Sequence, residues 1–419
     1  MSLHRCEGPL AQQFLSALEP WITAQRWFPH TASGLVPEAL WELGQDTYVL
    51  VARASDGTQV QLPITVATDH TGKEVPADGS ASPQFWRAWV DHCDVISGTR
   101  QELRVSASRV EAFPVEQSNT SVILAGGEKP LVAKIFRVLH PGVHPEVELP
   151  AALTGAGWNG VPTARASWYL PPLDSGDHRS CSAVIADFMT RAKDGFDYFV
   201  DLAARGADPA QEAAQIGAVI ASLHDHLESL FGTEVPLASD AVRARTERAL
   251  DSLLDQTGDA LDATTVKRVR EVIASPTFLP SSLSAPTIRI HGDLHLGQML
   301  ATNGNQDWVV VDFEGEPLRA LEERRHPDLA MRDVAGVLRS FDYAGAKGDV
   351  EDPHWVTRAR RAFLEGYDQV RGLTEEDRAT LNALELEKAL YEVAYEATYR
   401  PSWAHIPTKG VDRIVSTPV

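Results

Sequence analysis

The spacing of hydrophobic residues changes along the chain, and this change predicts two structural halves. In the first half, apolar and polar residues alternate in short segments, which is typical of strands with one buried face. These segments are 47–52, 60–66, 109–115, 121–124 and 131–136. From about residue 191, apolar residues recur every three or four positions, which is typical of amphipathic helices. The helical segments are 210–230, 266–273 and 374–399.

Further elements complete a three-part organisation. A helical pattern with Leu10, Phe14 and Leu18 opens the chain and is expected to end at Pro20. A β-rich stretch is expected from near Leu103, a short helix at 141–151, and a strand at 183–189. The predicted fold class is α+β. The predicted parts are an amino-terminal α+β cap (1–90), a β-rich nucleotide-binding part (91–190) and a helical part (191–419).

Composition narrows the class of protein. The 419 residues are 43% hydrophobic and 23% charged, as in ordinary globular proteins, and too many for one compact core. A formal net charge of −20 argues against nucleic acid or an anionic membrane as partners. Three scattered cysteines predict reduced thiols. No apolar run approaches the ~18 residues of a membrane span, and residues 1–9 lack a signal-peptide pattern. These features predict a cytoplasmic protein.

The most informative chemistry lies in segment 291–298, HGDLHLGQ, and in the apolar run 308–311 that precedes Asp312. An acid, an amide and a second acid follow one another in an order that suits magnesium-dependent phosphoryl transfer. Asp293 is the candidate catalytic base, and Gln298 and Asp312 are the candidate magnesium ligands.

Two other interpretations of this segment stay open. A His beside an Asp often makes only a hydrogen-bonded turn. Alternatively, His291, Asp293 and His295 share one face of an extended segment and would suit zinc, with His326 as the other local candidate. The combination with Gln298 and the strand before Asp312 favours phosphoryl transfer over both.

The nucleotide side has neither a P-loop nor a Rossmann glycine pattern. A polar loop between two strands offers hydroxyls and backbone N–H groups to phosphates, although a plain polar turn is the alternative. Its candidate residues are Ser118, Asn119, Thr120 and Ser121. Lys134, flanked by apolar residues on the following strand, is the candidate phosphate ligand. Glu146 or Glu148 would orient it; Glu148 is named with the nucleotide site, and the choice between them stays open.

The carboxy-terminal segment has the composition of a sugar site, where aromatic rings meet the apolar face of a pyranose. Tyr391, Tyr395 and Tyr399 recur every four residues, and core packing is the expected role for this stripe as a whole. The residues near the helix end are instead candidates for the sugar cleft: Glu396, Tyr399, Arg400 and Trp403. Arg332 and Arg339 are expected to be structural partners of carboxylates.

The chain resembles the actinobacterial maltokinases, which are similar to aminoglycoside phosphotransferases with an added amino-terminal cap. The resemblance covers most of the chain from about residue 100. It rests on the segments 117–124 (QSNTSVIL), 132–136 (VAKIF), 291–298 (HGDLHLGQ), 312–317 (DFEGEP), 332–343 (RDVAGVLRSFDY) and 391–403 (YEVAYEATYRPSW).

The resemblance implies a bilobal protein-kinase-like fold and a reaction. ATP, with Mg²⁺, would phosphorylate maltose at its anomeric hydroxyl, giving maltose 1-phosphate for α-glucan or glycogen synthesis. It implies the same roles for Asp293, Gln298, Asp312 and Lys134, and it places adenine at the hinge segment that includes Asp187, Phe188 and Met189. His295 and Glu314 join the candidate sugar residues.

Three functional hypotheses follow. The first is a maltose kinase. The second keeps the chemistry but takes glucosamine, another amino sugar or an aminoglycoside as acceptor. The third is a non-catalytic kinase-like subunit that binds a partner such as a trehalose-processing enzyme; the candidate residues at 134, 293, 298 and 312 count against it.

Overall fold

The chain folds into two compact units, Met1–Gly155 with Pro162–Thr190, and Ala156–Val161 with Arg191–Val419. The computed structural model describes residues 3–6, 8–28, 34–68, 74–113, 119–173, 178–258, 260–280, 283, 286–304, 307–316 and 319–416.

The described residues of the first unit form two antiparallel sheets and four helices. Its strands are β1 (His4–Arg5), β2 (Val36–Gly44), β3 (Thr47–Arg53), β4 (Gln59–Thr68), β5 (Glu74–Asp78), β6 (Asp94–Val95), β7 (Val110–Ala112), β8 (Thr120–Leu124), β9 (Leu131–Ile135), β10 (Val138–Leu139), β11 (Ala164–Tyr169) and β12 (Cys181–Asp187). Its helices are α1 (Gly8–Ile22), α2 (Pro83–His92), α3 (Arg100–Ser106) and α4 (Pro145–Gly155). The sheet orders are β1-β2-β3-β4-β10, with β5 beside β4, and β6-β11-β12-β9-β8-β7.

Aromatic and aliphatic residues fill a separate core on each sheet. Helix α1 buries Phe14 and Leu15 against the first sheet, where Leu50 is fully buried. Helix α2 buries Trp86 and Trp89 in the core of the second sheet. Both helices therefore bury one apolar face, which offsets the entropy of ordering them.

Polar contacts join the two sheets of this unit. The buried Gln61 side chain on β4 donates to the carbonyls of Phe136 (2.7 Å) and Ser182 (2.6 Å), and its carbonyl accepts from the Ser182 hydroxyl. Strand β10 comes directly after β9 of the second sheet in the sequence, but it pairs with β4 of the first sheet. The predicted boundary at residue 90 stays a prediction.

The second unit is mainly helical. Its helices are α5 (Gly195–Ala204), α6 (Ala210–Phe231), α7 (Ser239–Thr257), α8 (Ala263–Ala274), α9 (Met331–Lys347), α10 (Trp355–Arg371), α11 (Glu375–Tyr399) and α12 (His405–Ser416). Its strands are β13 (Lys193–Asp194), β14 (Thr233–Glu234), β15 (Thr287–Ile288), β16 (Met299–Thr302) and β17 (Asp307–Val310). Helix α6 packs on α10, and α11 packs on α7 and α9. The hairpin of β16 and β17 carries the segments around Gln298 and Asp312.

The predicted strands at 47–52, 60–66, 121–124 and 131–136 and the three long helices are confirmed. The expectation of β structure from Leu103 is wrong because residues 100–106 form α3. There Thr99 and Glu102 form a capping box that satisfies the free N–H groups of the first turn. Helix α1 also continues past Pro20 to Ile22, and α4 begins at Pro145.

Candidate active site

The loop that carries Asp293 is held by a buried carboxylate behind it. Asp333, in the first turn of α9, accepts hydrogen bonds from the backbone N–H groups of His291 (2.8 Å) and Gly292 (2.9 Å). The His224 imidazole on α6 lies 3.2 Å from Asp333, and its other nitrogen lies 2.8 Å from the Tyr367 hydroxyl. Three helices thus fix the backbone immediately before Asp293.

The charge of Asp333 is stabilised by these donors. Burial alone would raise its pKa, but the hydrogen bond and charge of His224 and the Gly292 N–H hold the pKa below its ordinary value. A carboxylate anchor accepts two backbone bonds at once, which a neutral side chain would do less strongly.

Close backbone packing adds to this anchor. A Cβ at Gly336 on α9 would lie 2.2 Å from the Leu294 carbonyl oxygen, so only glycine allows this approach. Gly292 has φ +87°, a conformation that side chains with a Cβ rarely adopt. The Leu296 N–H is bound by the Ser340 hydroxyl, also on α9. The position of Asp293 therefore depends on helix α9.

Asp293 faces a cation that the sequence did not reveal. The Lys388 ammonium on α11 lies 3.7 Å from Asp293 and 3.7 Å from Glu316. Burial alone would lower the pKa of Lys388, but the neighbouring carboxylates of Asp293 and Glu316 raise it above its ordinary value. Lys388 is therefore a positive charge beside the candidate base.

Asp293 and Lys388 both line a cavity of about 410 Å³ in the second unit. Its charged lining comprises the basic residues Arg245, Arg248, Arg319, Arg332 and Lys388 and the acidic residues Asp293, Glu316 and Glu387. Arg332 is bound to Glu316 (3.0 Å) and Asp328 (3.3 Å), which confirms its expected structural role. Arg339 is bound to Glu392 at 2.8 Å, which confirms that it too is a structural partner of a carboxylate.

Gln298 and Asp312 lie side by side, as a shared cation would require. The Gln298 side-chain amide is 3.1 Å from the Asp312 carboxylate and 3.4 Å from His295 Nε2. Asp312 has φ +66°, an unusual conformation for a residue with a side chain, and such strain is often found at functional sites. The pair suits Mg²⁺, which takes one or two protein ligands and completes its shell with phosphates and water.

The orientation of the Gln298 amide supports this fit. His295 Nδ1 accepts from the Gly297 N–H at 3.0 Å, and burial lowers the pKa of His295, so the neutral ring carries its proton on Nε2. That proton faces the NH₂ group of Gln298. A half-turn of the amide would let its oxygen accept from His295 and would present that oxygen, with Asp312, to a cation.

Both ring nitrogens of His295 face groups of its own loop, and its contact with a sugar stays a prediction. The zinc interpretation fails for a related reason: His291 Nε2 binds the Val311 carbonyl at 3.0 Å, and its Nδ1 faces the Asp293 N–H. No cluster of three or more His, Cys, Asp or Glu suited to a metal occurs among the residues described by the structure. The Glu314 backbone carbonyl accepts a hydrogen bond from the Arg324 guanidinium at 3.4 Å. Arg324 also interacts electrostatically with the Asp293 carboxylate.

In the first unit, Lys134 lies on β9 opposite Ser121 on β8. The Lys134 ammonium is 3.9 Å from Glu146, in the first turn of α4, and both side chains are mostly buried. Glu146 is therefore a partner of Lys134. Glu148 lies half-buried in the same turn, and the choice between the two glutamates stays open.

The described part of the polar loop is partly engaged by the fold. The Thr120 hydroxyl accepts from Arg137 at 2.8 Å, and the buried Arg137 also binds Asp78 at 2.9 Å. The phosphate contact of Thr120 stays a prediction. Asn119 directly precedes β8, two residues before Ser121. Ser118 lies outside the described residues.

The hinge segment offers one backbone donor. The Asp187 N–H binds the Thr163 carbonyl, and the Phe188 N–H binds the Pro130 carbonyl, so neither is available to adenine. The Asp187 carboxylate also forms a bidentate pair with Arg165 at 2.5 and 2.9 Å. The contacts of these two residues with a nucleotide stay predictions. The Met189 N–H donates to no other residue in the described part of the chain.

The carboxy-terminal sugar candidates form a cluster around Glu396. Its Oε1 accepts from Arg400 at 2.7 Å and from the Tyr343 hydroxyl at 3.3 Å. Trp403 lies beside Tyr343, with ring centroids 6.1 Å apart, and under the Arg400 guanidinium at 5.1 Å. Tyr399 stands apart from this cluster, with 69% of its surface exposed.

Comparison with known proteins decides the family. A model of the phosphotransferase enzyme family matches residues 109–373, more than half of the chain. The chain belongs to the phosphotransferase enzyme family. The match confirms the predicted enzyme class, an ATP-dependent phosphotransferase.

Two curated relatives of the phosphotransferase are named glucosamine kinase. The relative from Streptacidiphilus jiangxiensis is 28% identical over 411 residues, covering 88% of this chain and 89% of its own length. The relative from Mycolicibacterium smegmatis (strain ATCC 700084 / mc(2)155) is 30% identical over 328 residues, covering 72% and 78%. Neither relative is named maltokinase. The predicted resemblance is therefore confirmed at the level of the aminoglycoside phosphotransferase-like superfamily. The names of the relatives favour the alternative acceptor, glucosamine, over maltose.

A solved structure confirms the fold. A glucosamine kinase in complex with glucosamine, ADP and inorganic phosphate aligns with a TM-score of 0.67 at 23% identity, over 96% of this chain and 98% of that one. The predicted kinase-like fold of the aminoglycoside phosphotransferase type is therefore correct. Within the described ranges, no helix has the length and apolar character to cross a membrane. A trehalose-processing partner stays a prediction.

The candidate site includes a residue that sequence reasoning missed. Lys388 was hidden among the charged residues of a long amphipathic helix, and only its spacing of three from Tyr391 placed it on the same face. Asp333 lies in a segment that carried the resemblance, and it binds the backbone of residues 291 and 292 from another element.

Proposed function

We propose that this phosphotransferase is a hexosamine kinase, which transfers the γ-phosphoryl group of ATP to a hydroxyl of glucosamine or a closely related amino sugar. Two things support this acceptor: the names of both curated relatives, and a buried carboxylate oxygen beside the candidate sugar residues.

The proposed chemistry begins at Asp293. The acceptor hydroxyl attacks the γ-phosphorus and gives its proton to Asp293; an oxygen–phosphorus bond forms while the bond from the γ-phosphorus to the ADP oxygen breaks. Lys388, 3.7 Å from Asp293, would hold the carboxylate in place and offset negative charge on the transferred group. Mg²⁺, held by Gln298 and Asp312, would neutralise charge on the phosphates.

The proposed nucleotide contacts come from the first unit. Lys134, 3.9 Å from Glu146, suits a phosphate oxygen because its ammonium is a mostly buried positive charge. The Met189 N–H is the donor of the hinge segment left for adenine. Ser121 is the loop residue that pairs with Lys134 on the neighbouring strand.

The observation that carries the choice of an amino sugar is Glu396 Oε2. Glu396 is only 2% exposed, and this oxygen is buried with no hydrogen-bond partner among the described residues. A buried carboxylate oxygen without a donor costs about 1–3 kcal/mol or more, so it is expected to receive one from a ligand. The ammonium of an amino sugar supplies both a donor and a positive charge.

The charge distribution around Asp293 agrees with this placement. Lys388 would repel an ammonium group near the attacked hydroxyl. Glu396 lies eight residues further along the same helix, about 12 Å by helical rise. Tyr391 and Ala394, between these positions, line the cavity that contains Asp293. An amino sugar is thus expected to place its hydroxyl toward Asp293 and its ammonium away from Lys388, at the end of the cavity nearer to Glu396.

The experiment compares acceptors and one charge-removing variant. The enzyme, ATP and Mg²⁺ are incubated with glucosamine, glucose or maltose, and NMR identifies the product. Glucosamine is the expected substrate. In Glu396→Gln the KM for glucosamine should rise by roughly tenfold or more because a charged hydrogen bond is lost, while glucose turnover changes little.

The matched control is Glu375→Gln, an exposed glutamate at the start of the same helix, which should leave the KM unchanged. Turnover of maltose without turnover of glucosamine would contradict the proposal and restore the first hypothesis. Equal effects of Glu396→Gln on glucosamine and glucose would show that Glu396 does not read the amino group.

A further inference from the structure

A row of exposed tyrosines runs along the outside of α11. Tyr391, Tyr395 and Tyr399 are 41%, 40% and 69% exposed, so the sequence-based expectation of core packing is wrong for this stripe. The core-facing side of α11 is formed by other residues, among them Leu386, Leu390 and Val393.

The three rings form a continuous surface. The ring centroids of Tyr391 and Tyr395 are 6.3 Å apart with planes inclined by only 23°, and those of Tyr395 and Tyr399 are 5.0 Å apart. The Arg400 guanidinium lies 5.3 Å from the Tyr395 ring. The rings are therefore held against one another and against a cation, which reduces the entropy cost of binding a ligand on them.

This surface begins inside the active-site cavity. Tyr391 lines the cavity with Asp293, and the Lys388 ammonium lies 5.5 Å from the Tyr391 ring centroid. From there the stripe extends over two helical turns, about 12 Å, to Tyr399. That length exceeds one pyranose ring. Arg400, at the far end, also contacts Trp403 and Glu396.

Exposed aromatic rings are unusual on this surface. The other large exposed hydrophobic residues among the described positions are aliphatic: Val36, Val75, Val105, Val143, Leu230, Val235 and Val370. Exposed apolar residues in isolation need no explanation, but a contiguous aromatic patch indicates a binding surface. Tyrosine combines an apolar face for the C–H groups of a sugar with a hydroxyl for its rim.

We infer that the tyrosine stripe, Tyr391–Tyr395–Tyr399, is an extended acceptor subsite for oligosaccharides that end in an amino sugar. The terminal sugar enters the cavity at Asp293, and the following sugar units lie on the stripe. This inference rests on the proposed function and extends it from a monosaccharide to a short chain. The continuity of the stripe with the cavity favours a sugar chain over a protein partner.

The test uses acceptors of increasing length. The enzyme is assayed with glucosamine and with its β-1,4-linked dimer and trimer. The kcat/KM should be higher for the dimer and trimer than for glucosamine. In Tyr395→Ala, kcat/KM for the trimer should fall by roughly tenfold because a stacking contact is lost, with glucosamine within about twofold of the wild type.

Matched variants separate the ring from general effects. Tyr395→Phe keeps the ring and should retain most of the preference for longer acceptors. Val370→Ala, which removes an exposed side chain from α10, should change neither activity. Size-exclusion chromatography with light scattering compares the oligomeric state of wild type and Tyr395→Ala.

Three outcomes would overturn the inference. The first is an equal kcat/KM of the wild type for glucosamine and for its trimer; this result would refute the subsite and leave the proposed hexosamine kinase intact. A Tyr395→Ala loss that is the same for all acceptor lengths also overturns it. A change of oligomeric state in Tyr395→Ala assigns the stripe to a subunit contact. Failure of every amino sugar would instead refute the proposed function.

Discussion

Lys388 places a positive charge beside the candidate base. Its ammonium lies 3.7 Å from both Asp293 and Glu316, too far for a strong hydrogen bond and close enough for strong attraction. Its side chain is 28% exposed, so solvent screens the interaction only in part. The geometry leaves the ammonium available to a third anion in the cavity, such as a transferred phosphoryl group.

Removal of this charge is expected to slow the chemical step. In Lys388→Met, kcat should fall by roughly 10²–10³-fold, with the KM for ATP nearly unchanged, because stabilisation of the transition state is lost. Steady-state kinetics measures both parameters.

Two further variants complete this test. Lys388→Arg should recover part of kcat because it keeps the charge. Lys267→Met, at an exposed lysine on α8, is the control and should have no effect. A Lys388→Met enzyme with near-normal kcat would show that the lysine only packs.

Sequence singles out candidate residues most easily when they lie close together in the chain. Asp293, Gln298 and Asp312 stand out because one loop and one hairpin carry them all. Lys388 did not, because its partners lie on other elements and helix periodicity alone assigns it to an ordinary face. The contact between Thr120 and Arg137 was not predictable either, because it joins residues 17 positions apart.

The elements of the second unit are joined by a buried ionic network. Glu385 on α11 is 2% exposed and accepts from Arg360 on α10 (2.8 Å) and Arg413 on α12 (2.6 Å). Burial alone would raise the pKa of Glu385, but these arginines lower it to about 2 from 4.5. The same helix carries Lys388 toward the active-site cavity, so the network fixes the element that positions the lysine.

This network predicts a pH dependence of stability. A folded-state pKa below the unfolded value stabilises the fold above about pH 4.5, and this contribution is lost as the pH falls toward 2. Glu385→Gln should therefore lower the free energy of unfolding by about 3 kcal/mol at pH 7, because Arg360 and the partly exposed Arg413 lose one of their carboxylate partners. The difference from wild type should shrink between pH 5 and pH 3, by roughly 2 kcal/mol.

Urea denaturation at several pH values measures this difference. The control is Glu365→Gln on α10, whose exposed pair with Arg361 should contribute less than about 0.5 kcal/mol. A constant difference between Glu385→Gln and wild type across this pH range would mean that the arginines do not lower the pKa of Glu385.

Element prediction succeeded where local patterns were strong. The long helices and the strands β3, β4, β8 and β9 follow directly from the spacing of apolar residues. Helix α3 was missed because seven residues hold too few periods, and its signal lay in the Thr99–Glu102 capping box instead. The tyrosines of α11 were misplaced because four-residue spacing marks a common face without saying whether that face is buried.

At the scale of the whole molecule, a strongly acidic protein concentrates basic residues at its catalytic cavity. The net charge is −20, yet the cavity at Asp293 is lined by five basic and three acidic residues. This local reversal gives a polyanion such as ATP a favourable target that the overall charge does not provide.

The central claim is that Asp293 is the base of a hydroxyl kinase, and Asp293→Asn tests it most directly. Calorimetry should find ATP binding in the presence of Mg²⁺ close to wild type, while single-turnover phosphorylation of glucosamine should slow by roughly 10³-fold. Asp307→Asn, at an exposed aspartate on β17, is the control. Turnover by Asp293→Asn within a few-fold of wild type would contradict the assignment of the base.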